Sequence, residues 1–468
     1  MGLKSDYLFK SFFELNNLIN DNPLEIYEIT KSVLSSLKKA KETDFSVSFV
    51  NESASLEFAK QSVENINRET HKEQLLNGIP LAHKALFDRQ EWPRDGCCKA
   101  YEGRVASKSS KIIERLDWLG AVDCGRLVSV ELALGITGKN NFSGTPINPW
   151  MADHICGGSS SGSASVVASG LIPASMGTDT GGSVRLPSAA CGLVGLKPTT
   201  GLLSTDGIFP LSPTLDTPGF LTRSVVDSAV MFFSVACNLD KTSVLSILSY
   251  IEKGIAGIQV GVPLNYFFED IEAEVLAEIT KIIELTEDLG ASLIDINCPN
   301  ISSSNDKTLS IIGYESFRLH RMILENCPEK LSSSIRERLV FGSSVLKTDY
   351  TELLVDRKEI SEEWLNTVFR YVDIVLTPVW PFCTPKIPKN PFKLDKKEQR
   401  ISKYGARNTR PINFLGFPAI VLPIGLDKNG LPFSIQLVAP PYGEVLLLRT
   451  ARALERDLDF CTRFFKRN

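Results

Sequence analysis

From Cys156 to about Ser204 the chain is dense in Gly, Ser, Thr and Ala and poor in charge, yet apolar runs recur inside it at Val166 to Ala168, Ile172 to Met176 and Leu193 to Leu196. A flexible linker has no use for such runs, which need a core to cover them. The spacing predicts a helix at 166–168 followed by two buried strands, with small residues letting backbones approach closely at a site.

The flanking segments are more conventional. Ile26, Ile29, Val33 and Leu37 fall on one helical face after Asn22-Pro23, a cap residue followed by a first-turn proline. Leu56, Ala59, Val63 and Ile66 repeat the stripe, a short apolar segment from Ile79 to Ala82 leads to Lys84, and Ile112, Ile113, Leu116 and Leu119 mark a further helix. After a helix at Val225 to Ala236, strands at Ile258 to Pro263 and Ser292 to Ile296 flank a helix near 271–289, a βαβ alternation. Residues 305–371 read as mostly helical, and a strand at Val372 to Leu376 precedes a Pro- and Lys-rich loop over 378–400. Strands at Ala419 to Leu426 and Phe433 to Val438 are joined by a turn at Asn429-Gly430, and a helix closes the chain.

With 468 residues, 43% apolar and 23% charged, the chain can bury a large core. Lys plus Arg (51) nearly balance Asp plus Glu (55) and no basic block occurs, so nucleic acid is not expected as a direct partner. Ten cysteines are scattered without C-x-x-C or zinc spacing, which suggests reduced thiols and no metal. Charges interrupt every apolar run before membrane-spanning length, and no export signal or lipid anchor is evident. A cytoplasmic location, no membrane contact and no cofactor are expected.

Two clusters carry candidate chemistry, Gly157-Gly-Ser-Ser-Ser-Gly-Ser163 and Gly177-Thr-Asp-Thr-Gly-Gly-Ser-Val-Arg185. Either alone could be a polar turn. Neither ends as a phosphate-binding loop does. Ser160 sits at the centre of a formal G-x-S-x-G, but of the four histidines, His71, His83, His154 and His320, only His320 follows it, in a charged helical stretch that suits a surface or packing role. A lysine whose pKa burial lowers can replace histidine as the base. Lys84 is the candidate, with Ser159 75 residues later and Ser183 24 further on.

These segments resemble the amidase signature family, which hydrolyses carboxamides with a Ser-Ser-Lys triad. The matching motifs are Gly78-Ile-Pro-Leu-Ala-His-Lys84, Asn148-Pro-Trp150, the two clusters above, Cys191-Gly-Leu-Val-Gly-Leu-Lys-Pro-Thr199 and Leu215-Asp-Thr-Pro-Gly219. The resemblance implies an α/β fold: a single α/β/α domain with a mixed twisted sheet covered by helices on both faces. Within 1–468 it implies N-terminal helices at 1–75, a signature core at 78–223, a variable substrate-shaping region at 240–400 and a C-terminal return to the sheet at 409–468.

By the same resemblance Ser183 is the nucleophile, Ser159 the bridging serine after a cis peptide at Gly158, and Lys84 the base. The N–H groups of Thr180, Gly181, Gly182 and Ser183 form the oxyanion hole, and Asp179 and Arg185 support it. Ala85 replaces an acidic residue common in the family, and Arg94 to Tyr101 replaces a stretch of small residues. The expected substrate is a small-molecule carboxamide, with Phe267, Phe268, Tyr314, Phe317, Trp380 and Phe382 as candidates for an apolar pocket. Two alternatives stay open: the glutaminase (A) subunit of a tRNA-dependent amidotransferase, whose acidic glutamine-reading residue is not evident at Ala406-Arg407-Asn408, and a binding protein with a decayed site.

Overall fold

The structure, a computed structural model, describes residues 7, 9–67, 74–237, 239, 241–388 and 396–465. His71 and part of the expected 378–400 loop, residues 389–395, lie outside the described residues.

Three helices open the chain, Phe12–Asp21, Glu25–Thr43 and Glu52–Asn67. Ser11 caps the first with a capping box, its hydroxyl accepting from the Glu14 N–H while Glu14 accepts the Ser11 N–H at 2.7 Å. The second helix buries Ile26, Ile29, Val33 and Leu37 as the stripe predicts. Its start differs: Asn22 bonds the Leu24 N–H, and the helix begins at Glu25, two residues beyond the proline.

A small sheet orders β1 (Val47–Phe49), β3 (Val122–Leu127) and β2 (Pro80–Lys84), with β2 and β3 parallel. The main sheet holds β4 (Ala174–Asp179), β5 (Val194–Lys197), β6 (Thr217–Thr222), β7 (Gln259–Pro263), β8 (Ser292–Ile296), β9 (Ile374–Pro378), β10 (Ala419–Leu426) and β11 (Pro432–Val438). Its order is β4-β6-β5-β10-β11-β9-β7-β8. Pairing is antiparallel from β4 to β9 and parallel from β9 to β8, so the sheet is mixed.

Every residue of β4, β5, β6, β9 and β11 is buried, the signature of a sheet covered on both faces. Val225–Ala236 packs on β4, β5 and β6, Glu444–Leu458 on β10 and β11, and Ala273–Asp288 on β8, β10 and β11. The Asn429-Gly430 turn is pinned by Asp427, whose Oδ1 accepts the N–H groups of Asn429 (2.8 Å) and Leu431 (2.9 Å). The Ser161–Ala168 helix touches β2, β3 and β4, which brings the carboxyl ends of β2 and β4, Lys84 and Asp179, to one place.

Candidate active site

Lys84 is fully buried at the end of β2, its Nζ 2.7 Å from Ser159 Oγ and 2.7 Å from Thr178 Oγ1. Burial pushes the amine down to about 7, against the pull of the Asp216 and Asp179 carboxylates. An amine with that pKa is neutral in a large fraction of molecules at neutral pH.

Ser159 follows a cis peptide after Gly158, as the resemblance implied. Only glycine fits at 158, where a Cβ would stand 2.8 Å from the Gly138 nitrogen. Ser160 is turned inward, its hydroxyl donating to the Thr178 carbonyl at 3.4 Å and its N–H to the Ser183 carbonyl at 3.2 Å. The described histidines stand apart from these serines. His83 Nδ1 accepts the Met176 N–H, His154 pairs with Asp153, and His320 is buried against Tyr101, 2.7 Å from its hydroxyl.

Ser183 lies in the loop between β4 and the Arg185–Ala190 helix, where it lines a cavity of about 330 Å³ together with Thr180 and Gly181. The N–H groups of Thr180, Gly181 and Ser183 have no acceptor among the described residues. Gly182 departs from expectation. Its N–H donates to Asp179 Oδ1 at 2.8 Å, so it is not free for an oxyanion, and Gly182 does not line the cavity.

Asp179 holds the loop in shape. Its carboxylate accepts from the N–H groups of Gly182, Val184 (3.1 Å) and Arg185 (3.3 Å), from Arg185 Nε (3.0 Å) and from Asn413 Nδ2 (2.8 Å). Burial alone would raise this carboxyl, but the Arg185 guanidinium outweighs it and holds the group well below the usual carboxylate range. Arg185 also donates to Gln436 Oε1 at 2.6 Å. Arg185→Met leaves a buried carboxylate without its counter-ion and is expected to lower stability by about 3–5 kcal/mol, read by urea unfolding.

Two further residues were not assigned roles from sequence, although both fall inside quoted motifs. Thr178 shares the Lys84 amine. Asp216 accepts the Thr180 hydroxyl at 2.6 Å and the N–H groups of Leu211 (2.9 Å) and Ser212 (3.0 Å), with burial raising its carboxyl to about 6. The unusual 94–101 segment is internal support: Cys97 and Cys98 are buried, and Asn140 Nδ2 donates to the Cys97 carbonyl at 2.9 Å.

None of the six aromatic candidates lines the cavity. On the Ile301–Asn326 helix the cavity is lined by Leu309, Ile312, Gly313 and Ser316, whereas Tyr314 and Phe317 do not line it. Tyr314 stacks on Tyr350 at 4.2 Å. Phe267, Trp380 and Phe382 are core, and Phe268 is packed against it. Phe341 is the aromatic wall, and Arg338, Arg410 and Lys403 supply the charged lining. Among the described residues no cluster of His, Cys, Asp and Glu could hold a metal ion, and no helix is long and apolar enough to cross a membrane.

The mixed sheet and the motifs gathered at its edge define an enzyme that hydrolyses amide C–N bonds. The chain belongs to the amidase signature family: the family model described as Amidase matches residues 28–448. The A-subunit of the glutamyl-tRNA(Gln) amidotransferase from Trichlorobacter lovleyi is 30% identical over 417 residues, covering 83% of this chain and 85% of that protein. A crystal structure of an amidase superposes with a TM-score of 0.85 at 29% identity, covering 96% of this chain and 100% of its own. The corresponding A-subunit from Thermotoga maritima, also of a glutamyl-tRNA(Gln) amidotransferase, gives 0.77 at 26% identity, covering 98% and 96%.

Proposed function

We propose that this chain, read as one amidase domain, hydrolyses a small-molecule carboxamide through an acyl-serine at Ser183. The observation that carries the reading is the buried amine of Lys84, 2.7 Å from Ser159 Oγ with a pKa near 7. Neutral Lys84 takes the Ser159 proton as Ser159 takes that of Ser183, whose Oγ attacks the amide carbon. The N–H groups of Thr180, Gly181 and Ser183 receive the developing oxyanion. The proton returns to the leaving nitrogen, the C–N bond breaks, and water attacks the acyl-serine by the same relay to release the acid.

A second reading, the glutaminase component of a tRNA-dependent amidotransferase, is favoured by the 30% identity to such a protein. The cavity lining argues for the first. Among the described residues it holds three cationic side chains and no Asp or Glu, so the ammonium of glutamine would lose water without gaining a carboxylate there. The expected result is ammonia release from simple primary amides by the purified chain alone. Release from glutamine only, and only with amidotransferase partners present, would move the assignment to the second reading.

A further inference from the structure

Glu315 is buried on the Ile301–Asn326 helix, whose residues Ile312 and Ser316 line the cavity. Among the described residues no Lys, Arg or His pairs with it, and its carboxylate is satisfied by hydroxyls and one N–H instead. Oε2 accepts the Ser212 hydroxyl at 2.5 Å and the Thr214 N–H at 3.3 Å, and Oε1 accepts the Thr214 hydroxyl at 2.7 Å and the Tyr350 hydroxyl at 2.6 Å. The helix that walls the cavity therefore also grips the 212–214 segment.

A buried carboxylate that gives up its hydration needs every donor it can keep, so losing one of these bonds is costly. Ser212 passes the grip on. Its hydroxyl is held by Glu315, and its N–H donates to Asp216 Oδ2 at 3.0 Å, beside that of Leu211. The other oxygen of Asp216 accepts the Thr180 hydroxyl at 2.6 Å. Thr180 lines the cavity, and its own N–H has no acceptor among the described residues. Glu315, Ser212, Asp216 and Thr180 thus form one line whose links are all 3.0 Å or shorter. Oxyanion donors act by being fixed in advance, and a displacement of about 1 Å costs much of their effect.

We infer that Glu315 is a positioning residue for the oxyanion hole: by holding Ser212, and Asp216 through it, Glu315 fixes Thr180 where its N–H meets the developing charge. The inference rests on the acyl-Ser183 reading and adds to it a residue that touches no substrate. Tyr350, from the Lys347–Thr367 helix, steadies the opposite oxygen of the same carboxylate.

The rate at which a fluorophosphonate labels Ser183 tests this without a choice of amide, because the phosphonyl oxygen enters the same hole. Glu315→Gln places an amide N–H₂ among hydroxyl donors. The maximal labelling rate of that variant is expected to fall about tenfold, with the half-saturating probe concentration changed less than about twofold. Glu315→Asp keeps both acceptors and should restore part of the rate. Thr180→Val removes the hydroxyl and keeps the N–H. Combined with Glu315→Gln, it should cost no more than about threefold beyond the larger single loss, since both changes cut one line. An unchanged maximal rate in Glu315→Gln, a change confined to the half-saturating concentration, or single losses that multiply in the double variant overturns the inference while Ser183 remains the labelled serine. Should Glu315→Gln fail to fold, Ser212→Ala, which cuts the link between the two acids by a single hydroxyl, decides by the same rate and the same pairing with Thr180→Val. Label on another serine of the unmutated chain instead overturns the acyl-Ser183 reading, and this inference with it.

Discussion

Ser183→Ala is expected to lower kcat for amide hydrolysis by about 10³–10⁶-fold, the range seen when an acyl-forming serine is removed from a site whose other parts remain. Of the serines at 159, 160, 161 and 183, only Ser183 lines the cavity. Ser160, the centre of the G-x-S-x-G match, spends its hydroxyl on the Thr178 carbonyl inside the protein. A fluorophosphonate probe followed by peptide mapping should therefore mark Ser183. Label on Ser160, or a loss in His320→Ala as large as that in Ser183→Ala, would restore a histidine-based scheme.

Lys84→Met is expected to remove activity by about 10³-fold or more, the scale of losing a general base together with its relay, and to make the protein more stable at pH 7 by on the order of 1–4 kcal/mol. The gain follows from desolvation. The amine has a pKa near 7 in the folded chain and about 10.4 when unfolded, so between those values the unfolded state binds more protons. Stability of the parent protein should accordingly rise as pH climbs from 7 toward 10, and the variant should lack that rise. Activity should increase with pH through about 7 as Lys84 becomes neutral. Urea unfolding across pH and a kcat/KM profile measure the two effects. A variant less stable than the parent at pH 7 would show that the hydroxyls of Ser159 and Thr178 lose more than the amine's burial costs.

Elements whose side chains obey a simple period were readable from sequence. The helix at Val225–Ala236 and the strands at Ser292–Ile296 and Ala419–Leu426 fall where the pattern puts them. β3 and β6 were not foreseen. β3 carries Asp123 and Arg126 into the interior as an ion pair, which breaks the apolar signal, and β6 begins Thr-Pro-Gly, which reads as a turn. The motifs led to Lys84, Ser159 and Ser183, and geometry then separated their neighbours. Gly182 gives its N–H to Asp179 and not to the cavity, a distinction that depends on where one carboxylate points. The aromatic candidates failed because composition names residue types without saying which face of a helix they occupy. Leu309, Ile312 and Ser316 were equally visible in the sequence, but nothing local marked their face as the inner one.

The loop that carries Ser183 is finished by residues from the far end of the chain. Asn413 reaches Asp179 across 234 positions, Gln436 reaches Arg185 across 251, and the Thr409 hydroxyl donates to the Gly181 carbonyl. Contacts of such separation form only after the intervening chain exists. During synthesis, a growing polypeptide that has passed Ser183 but not yet reached Gln436 holds a buried arginine and carboxylate whose remaining partners are still untranslated. Competence thus needs the chain at least as far as Gln436, and truncation by a premature stop before that residue would disable this protein without touching its serine-glycine motifs.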